Sequence, residues 1–161
     1  MPSPSETRPA AGIDPRGPRF SASIMSVLLL VTVFTGLAGA VVATSILLAV
    51  AVVIFAWGAI AGVRRHPFGV LFRRVVRPHL AAPVELEDPA APRFAQLVGL
   101  IVTGVGLLLA LIGLPLAAPI AAGLAFIAAF LNAAFGFCIG CQMYLALVRA
   151  GLVRRGAARA A

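Results

Sequence analysis

The chain has 161 residues, 61% of them hydrophobic, with thirteen arginines, no lysine and five acidic side chains. That length holds one domain, and so apolar a composition, against a soluble norm of about half, indicates a membrane class. The formal charge of +8 does not signal a nucleic-acid partner, because the arginines flank apolar blocks and form no basic face interleaved with polar and aromatic groups.

Residues 1–19 are rich in Pro and small polar residues and read as a disordered cytoplasmic lead. No short apolar core stands before a small-residue cleavage site, so no cleavable secretory signal is expected. From 20 to 63, and again from 94 to 148, the chain holds no Asp, Glu, Lys or Arg. About 20 apolar residues cross the hydrocarbon core as a helix, and charges there are costly. Each block therefore provides two crossings. The spacing predicts helices over 20–38, 45–63 and 95–113 and a fourth from near Pro119, with outer turns at Gly36–Ser45 and Pro115–Pro119. The expected fold is an all-α membrane protein with a four-helix domain over 20–150 and a basic cytoplasmic tail over 151–161. The arginines lie before, between and after the blocks and never in the hairpin turns. The positive-inside rule then puts both termini and the 64–93 loop in the cytoplasm of a multi-pass cell-membrane protein.

The two blocks are related. Asp14-Pro-Arg-Gly-Pro-Arg-Phe20 matches Asp88-Pro-Ala-Ala-Pro-Arg-Phe94 at five of seven positions, at an offset of 74. The same offset pairs Gly39 with Gly113 and Gly62 with Gly136. The chain thus reads as two parallel helical hairpins, halves 14–80 and 88–150, related by an axis along the membrane normal. Pro18 and Pro92 suit the first turn of a helix. Arg19 and Arg93 suit the lipid-phosphate boundary, and Asp14 and Asp88 are expected to cap or to pair with them. Thr32, Thr35, Thr103, Asn132 and Gln142 read as interhelical hydrogen-bonding groups. Between the halves, Phe68, Leu71, Phe72, Val75 and Val76 recur at helical spacing opposite Arg73, Arg74 and Arg77. That pattern predicts a short interfacial helix from Pro67 to Pro78. His66 and His79, without ligand-spaced partners, read as interfacial side chains and not as metal ligands.

Serine-nucleophile, paired-carboxylate and phosphate-loop motifs are absent. The remaining chemistry lies in Asn132-Ala-Ala-Phe-Gly-Phe-Cys-Ile-Gly-Cys-Gln-Met-Tyr144, which holds both cysteines at Cys-x-x-Cys spacing. Nineteen residues of helix beyond Pro119 rise about 28 Å, which brings Cys138 near the cytoplasmic interface. Alignment of Cys141 with Pro67 predicts that the fourth helix ends near Gly140 in a left-handed cap. On that premise Cys141 opens the next segment as the more nucleophilic thiol, with Cys138 resolving and Arg73, Arg74 and Arg77 nearby.

Together, the Asp-Pro-Arg-Gly-Pro-Arg-Phe start, the segment Leu86 to Gln96 and the Asn132–Tyr144 motif resemble a bacterial membrane family called domain of unknown function 4395. The likeness covers about residues 12–150, and Phe-Gly-Phe-Cys-x-Gly-Cys is its most specific part. Such a resemblance implies an actinobacterial protein, often encoded near rhodanese-type sulfurtransferases and thioredoxin-like proteins, and implies no catalytic assignment and no cofactor.

Four functions stay open at this point. One is a cytoplasm-facing thiol–disulfide or sulfur-relay site on Cys138 and Cys141, served by a soluble sulfurtransferase or thioredoxin-like partner. Another is a membrane scaffold for such a partner, with the cysteines acting as small packing residues. A third is a metal or cluster site shared by a homodimer, and the fourth a small-solute channel, disfavoured by the lack of ionisable groups inside the blocks.

Overall fold

The structure, a computed structural model, describes residues 12–83 and 85–153. The predicted lead up to residue 11 and the tail from 154 onward lie outside the described residues. Six helices follow in chain order: α1 (Arg16–Leu37), α2 (Val41–Ala61), α3 (Pro67–Leu71), α4 (Ala90–Leu111), α5 (Ala117–Phe135) and α6 (Ile139–Arg149). After α3 the chain widens into a π-type turn over Phe72–Val76 and tightens into a 3₁₀ turn over Arg77–His79. The stretch expected to form one interfacial helix is therefore helical throughout, in three pitches. α1, α2, α4 and α5 are long and apolar enough to cross a membrane. Their outward faces carry large apolar side chains such as Phe34, Val53, Ile101 and Leu124, the pattern a lipid-facing surface requires.

Both lead-in helices start four residues earlier than the charge-free blocks do. Proline sets the dihedral angle at Pro15 and Pro89, immediately before each first turn. The Oδ1 of Asp14 accepts the Arg16 N–H at 3.0 Å, and that of Asp88 accepts the Ala90 N–H at 2.9 Å. These bonds satisfy one of the four free amides at each helix start. α2 also starts earlier than predicted, at Val41, because Gly39 at φ +75° closes the outer turn in three residues.

Element boundaries repeat at the 74-residue offset: α1 with α4 at both ends, and α2 with α5 at their C-terminal ends. α1 packs chiefly along α5 and α2 along α4, so each hairpin lies against the other. Met25, Leu29, Leu48, Ala51, Phe55, Ala118, Ala122 and Ala125 form the core. Small residues permit this approach: a Cβ on Gly36 would sit 2.6 Å from that of Pro119. Ile13 and Glu87, again 74 apart, exchange two backbone hydrogen bonds of 2.9 Å in an isolated antiparallel bridge. That bridge ties the segments that lead into α1 and α4 to each other.

Two of the three threonines expected to bond between helices bond within their own. Thr32 donates to its own helix at Leu28, and Thr103 to Gly99. Thr35 does bond between helices: its Oγ1 accepts from Thr44 Oγ1 of α2 at 3.2 Å, the one hydroxyl pair among the described residues that joins two of these helices. A threonine can satisfy itself on the preceding turn, so a lone hydroxyl in an apolar helix needs no partner helix.

Candidate functional site: the cavity between Cys138 and His66

The fourth predicted helix is broken one turn earlier than Gly140. α5 ends at Phe135, and Gly136 takes the left-handed conformation (φ 69°, ψ 13°). Its N–H donates to Asn132 O, and Phe137 N–H donates to Leu131 O, which closes the orphan carbonyls of the last turn. Gly136 aligns with Gly62, where α2 also ends at positive φ. Gly140 lies instead inside α6, where a Cβ would stand 2.6 Å from both Cα and Cβ of Ala95. The absent side chain at Gly140 serves close helix contact, not a cap.

This shift moves the N-cap to Cys138, in extended conformation (φ −89°, ψ 102°). Its Sγ accepts the Cys141 N–H at 3.2 Å, and its carbonyl accepts the Gln142 N–H at 3.0 Å. The two cysteines form a disulfide, with Cα atoms 5.2 Å apart. Both are half-buried. The premise that Cys141 opens the helix is therefore corrected: Cys138 holds that position, and Cys141 sits in the first turn. Arg77 is not beside the thiols as expected. It lies 3.2 Å from Asp14, while Arg73 donates to Arg64 O at 2.6 Å. Both line a second recess, with Asp14 and Phe72, that excludes the cysteines. Arg16, at 2.8 Å, holds the Asp14 carboxyl below its ordinary range through a side-chain hydrogen bond. The guanidinium near the motif is Arg19, about 3.6 Å from where a Gly136 Cβ would be.

Arg19 and Arg93 do more than mark a boundary. Arg93 donates to Ala59 O (2.8 Å) and Ile60 O (3.2 Å), and Arg19 to Ala133 O (3.3 Å) and Ala134 O (3.4 Å). Each arginine thus binds the last carbonyls of the opposite hairpin, where a helix carries partial negative charge.

A cavity of about 360 Å³ opens between the hairpins, lined by residues of α1, α2, α4 and α5 and by Cys138 and His66. Those last two are the N-caps of α6 and α3, so the helix following each hairpin presents its first residue to the same space. His66 is 2% exposed, and neither of its ring nitrogens has a hydrogen-bond partner. The Gln96 Oε1 is likewise buried and unpartnered, with its amide laid over Gly58. An unmet buried polar atom costs about 1–3 kcal/mol. Burial pushes the His66 pKa down; the Ile54 carbonyl offsets this in part without reaching hydrogen-bond geometry. Burial therefore favours the neutral imidazole. His66 was expected at the interface and is instead in the wall of the cavity. Gln96 carried no signal beyond being polar within an apolar block. Asn132 also lines the space.

Among the described residues no three His, Cys, Asp or Glu side chains converge as metal ligands do. No curated protein and no solved structure matches this chain. A family model described as "Domain of unknown function (DUF4395)" matches residues 13–149, and the chain belongs to that family.

Proposed function

We propose that the protein is a membrane thiol–disulfide component whose Cys138–Cys141 pair exchanges with a soluble thioredoxin-like or sulfurtransferase partner at the cytoplasmic face. The observation that carries this reading is the placement of the disulfide on the first turn of α6, half-buried, with Cys138 Sγ receiving the Cys141 N–H. A sulfur at a helix N-terminus is stabilised as thiolate. Because the N-cap is Cys138, the nucleophilic role passes to it and the resolving role to Cys141. A partner thiolate attacks the disulfide to give a mixed disulfide and one free thiolate here. The partner's second thiol then displaces the second sulfur, leaving a dithiol on this chain and a disulfide on the partner. The cytoplasmic assignment rests on the clustering of Arg16, Arg19, Arg64, Arg73, Arg77 and Arg93 at the end of the bundle that carries the motif, and on the positive-inside rule. The matching boundaries at an offset of 74 and the Ile13–Glu87 bridge support an origin in two parallel hairpins.

The test is alkylation of the reduced protein in inverted vesicles with a membrane-impermeant maleimide, across pH. In Cys141→Ser the remaining Cys138 labels from the outside of such vesicles, with a midpoint below the free-thiol value of about 8.5. In Cys138→Ser the remaining Cys141 labels with a higher midpoint. If dithiothreitol cannot open the disulfide, and neither single variant labels, the cysteines are packing residues and the protein is a scaffold for its partner.

A further inference from the structure

The unmatched polar groups and the disulfide share one cavity, and their chemistry restricts what fits there. Among the described residues no charged side chain lines it, and its wall is mostly apolar, with Ala22, Met25, Phe55 and Val102 among the contributors. A ligand that enters from among four membrane-crossing helices is therefore neutral and apolar over most of its surface. It must also meet His66, which as a neutral imidazole offers one N–H donor and one acceptor. A donor on it would also satisfy the Gln96 Oε1, which can only accept. A group that is a hydrogen-bond acceptor in one state and a donor in another satisfies both. The remaining wall is Cys138, half of a two-electron couple.

We infer that the cavity between Cys138, His66 and Gln96 binds the head group of a lipid-soluble para-quinone, which takes two electrons from the reduced Cys138/Cys141 pair. The step rests on the thiol–disulfide reading above. Two S–H bonds break and one S–S bond forms; the two electrons and two protons pass to the carbonyl oxygens of the quinone, giving a hydroquinone. His66 donates its N–H to one carbonyl and takes back a proton from the thiol side, so it returns to its neutral form. The reductant is the partner dithiol and the oxidant is the quinone. A para-quinone is uncharged in both oxidised and fully reduced states, as the wall requires. A volume of about 360 Å³ sits at the lower end of small-molecule sites, which suits a ring system without its whole isoprenoid tail.

The experiment uses the full chain in phospholipid nanodiscs and ubiquinone-1, whose fully substituted ring resists simple thiol addition. The protein is reduced with dithiothreitol, freed of reductant and mixed with the quinone without oxygen. Quinone absorbance and free thiols are followed together. One quinone is consumed per chain, with saturation, and Cys138→Ser abolishes consumption. Gln96→Leu removes the amide, and Ala128→Phe fills the cavity from α5. Ala128→Phe raises the half-saturating quinone concentration at least tenfold, and Gln96→Leu, which loses the acceptor for a hydroquinone O–H, weakens hydroquinone binding in equilibrium dialysis at least tenfold; both keep the helical circular-dichroism spectrum and monodisperse elution. If dithiothreitol opens the disulfide but ubiquinone-1 does not restore it, the quinone proposal is overturned and the thiol reading stands. Restoration at the same half-saturation in Ala128→Phe also overturns it. A disulfide that never opens refutes the thiol reading and the electron transfer with it. Equilibrium dialysis of ubiquinone-1 against the oxidised chain then decides the binding site alone. Saturable binding lost in Ala128→Phe keeps the site. No saturable binding, or a cavity that retains only phospholipid acyl chain, removes it.

Discussion

Gly140 is the point at which the helix bearing the disulfide touches α4, and Gly140→Ala tests how tightly that contact is set. The new Cβ would stand 2.6 Å from Cα and Cβ of Ala95, about 1 Å inside ordinary carbon–carbon contact of about 3.5–4.0 Å. Neither Ala95 atom can rotate away, since both are fixed by the α4 backbone. α6 must then move off by about an ångström, loosening the Phe94–Tyr144 ring contact (centroids 5.9 Å apart). Overpacking of this kind costs about 1–3 kcal/mol. Alanine returns up to about 1 kcal/mol through better helix propensity, for a net loss of about 0–2 kcal/mol. Gly104→Ala is the internal control: it lies in α4 with nothing within 4 Å of its would-be Cβ, so it collects the propensity gain without the overlap. The two variants are compared by denaturant titration in one detergent, followed by circular dichroism. Gly140→Ala should unfold earlier than Gly104→Ala by an amount equivalent to about 1–3 kcal/mol, and adding Ala95→Gly to the former should recover part of the loss. Equal midpoints for the two single variants would refute the close contact.

The arginine caps are unequal. Arg93→Met should destabilise the bundle by about 1 kcal/mol and Arg19→Met by less, because the Arg93 bonds are shorter and less exposed. The reverse order in the same titration would count against the capping geometry. Asp14 supplies the pH prediction. Its pKa is lowered on folding, chiefly by the Arg16 hydrogen bond, so its contribution is complete above the unfolded value of about 3.9 and is lost as pH falls through the lower folded value. Asp14→Asn should therefore be less stable than wild type at pH 6 and converge with it near pH 2. Subtracting the two curves removes the His66 contribution common to both, and a constant difference across that range would show that the carboxylate charge is irrelevant.

Much of the architecture was legible because charge exclusion acts over whole segments. The absence of ionisable residues over 20–63 and 94–148 locates four crossings whatever the details of packing. Boundaries were less legible. The blocks were cut at the last charge, yet Arg16, Arg19 and Arg93 lie within the first turns of α1 and α4, where a guanidinium can reach helix-end carbonyls while its backbone is helical. The repeat alignment points to Gly140 for the break before the cysteines, and Gly136 makes it. Both glycines suit a left-handed cap, and only the tertiary contact of Gly140 with Ala95 separates their roles. His66 was set aside for want of a ligand-spaced partner in sequence. It shares a cavity wall with Cys138, 72 positions away, and no local pattern connects them.

A cavity between two identical chains must present every side chain twice, once from each copy. Here the helix after the first hairpin brings a histidine to the shared space, and the helix after the second brings a sulfur. The arginines that cross between the hairpins tie the end of each hairpin that leads to this unlike pair to the other hairpin, through carbonyls at equivalent places and with unequal bonds. Covalent linkage of the hairpins therefore permits an asymmetry that a symmetric dimer would have to forgo, and on the electron-transfer proposal it would let one rim of the opening handle protons while the other handles electrons.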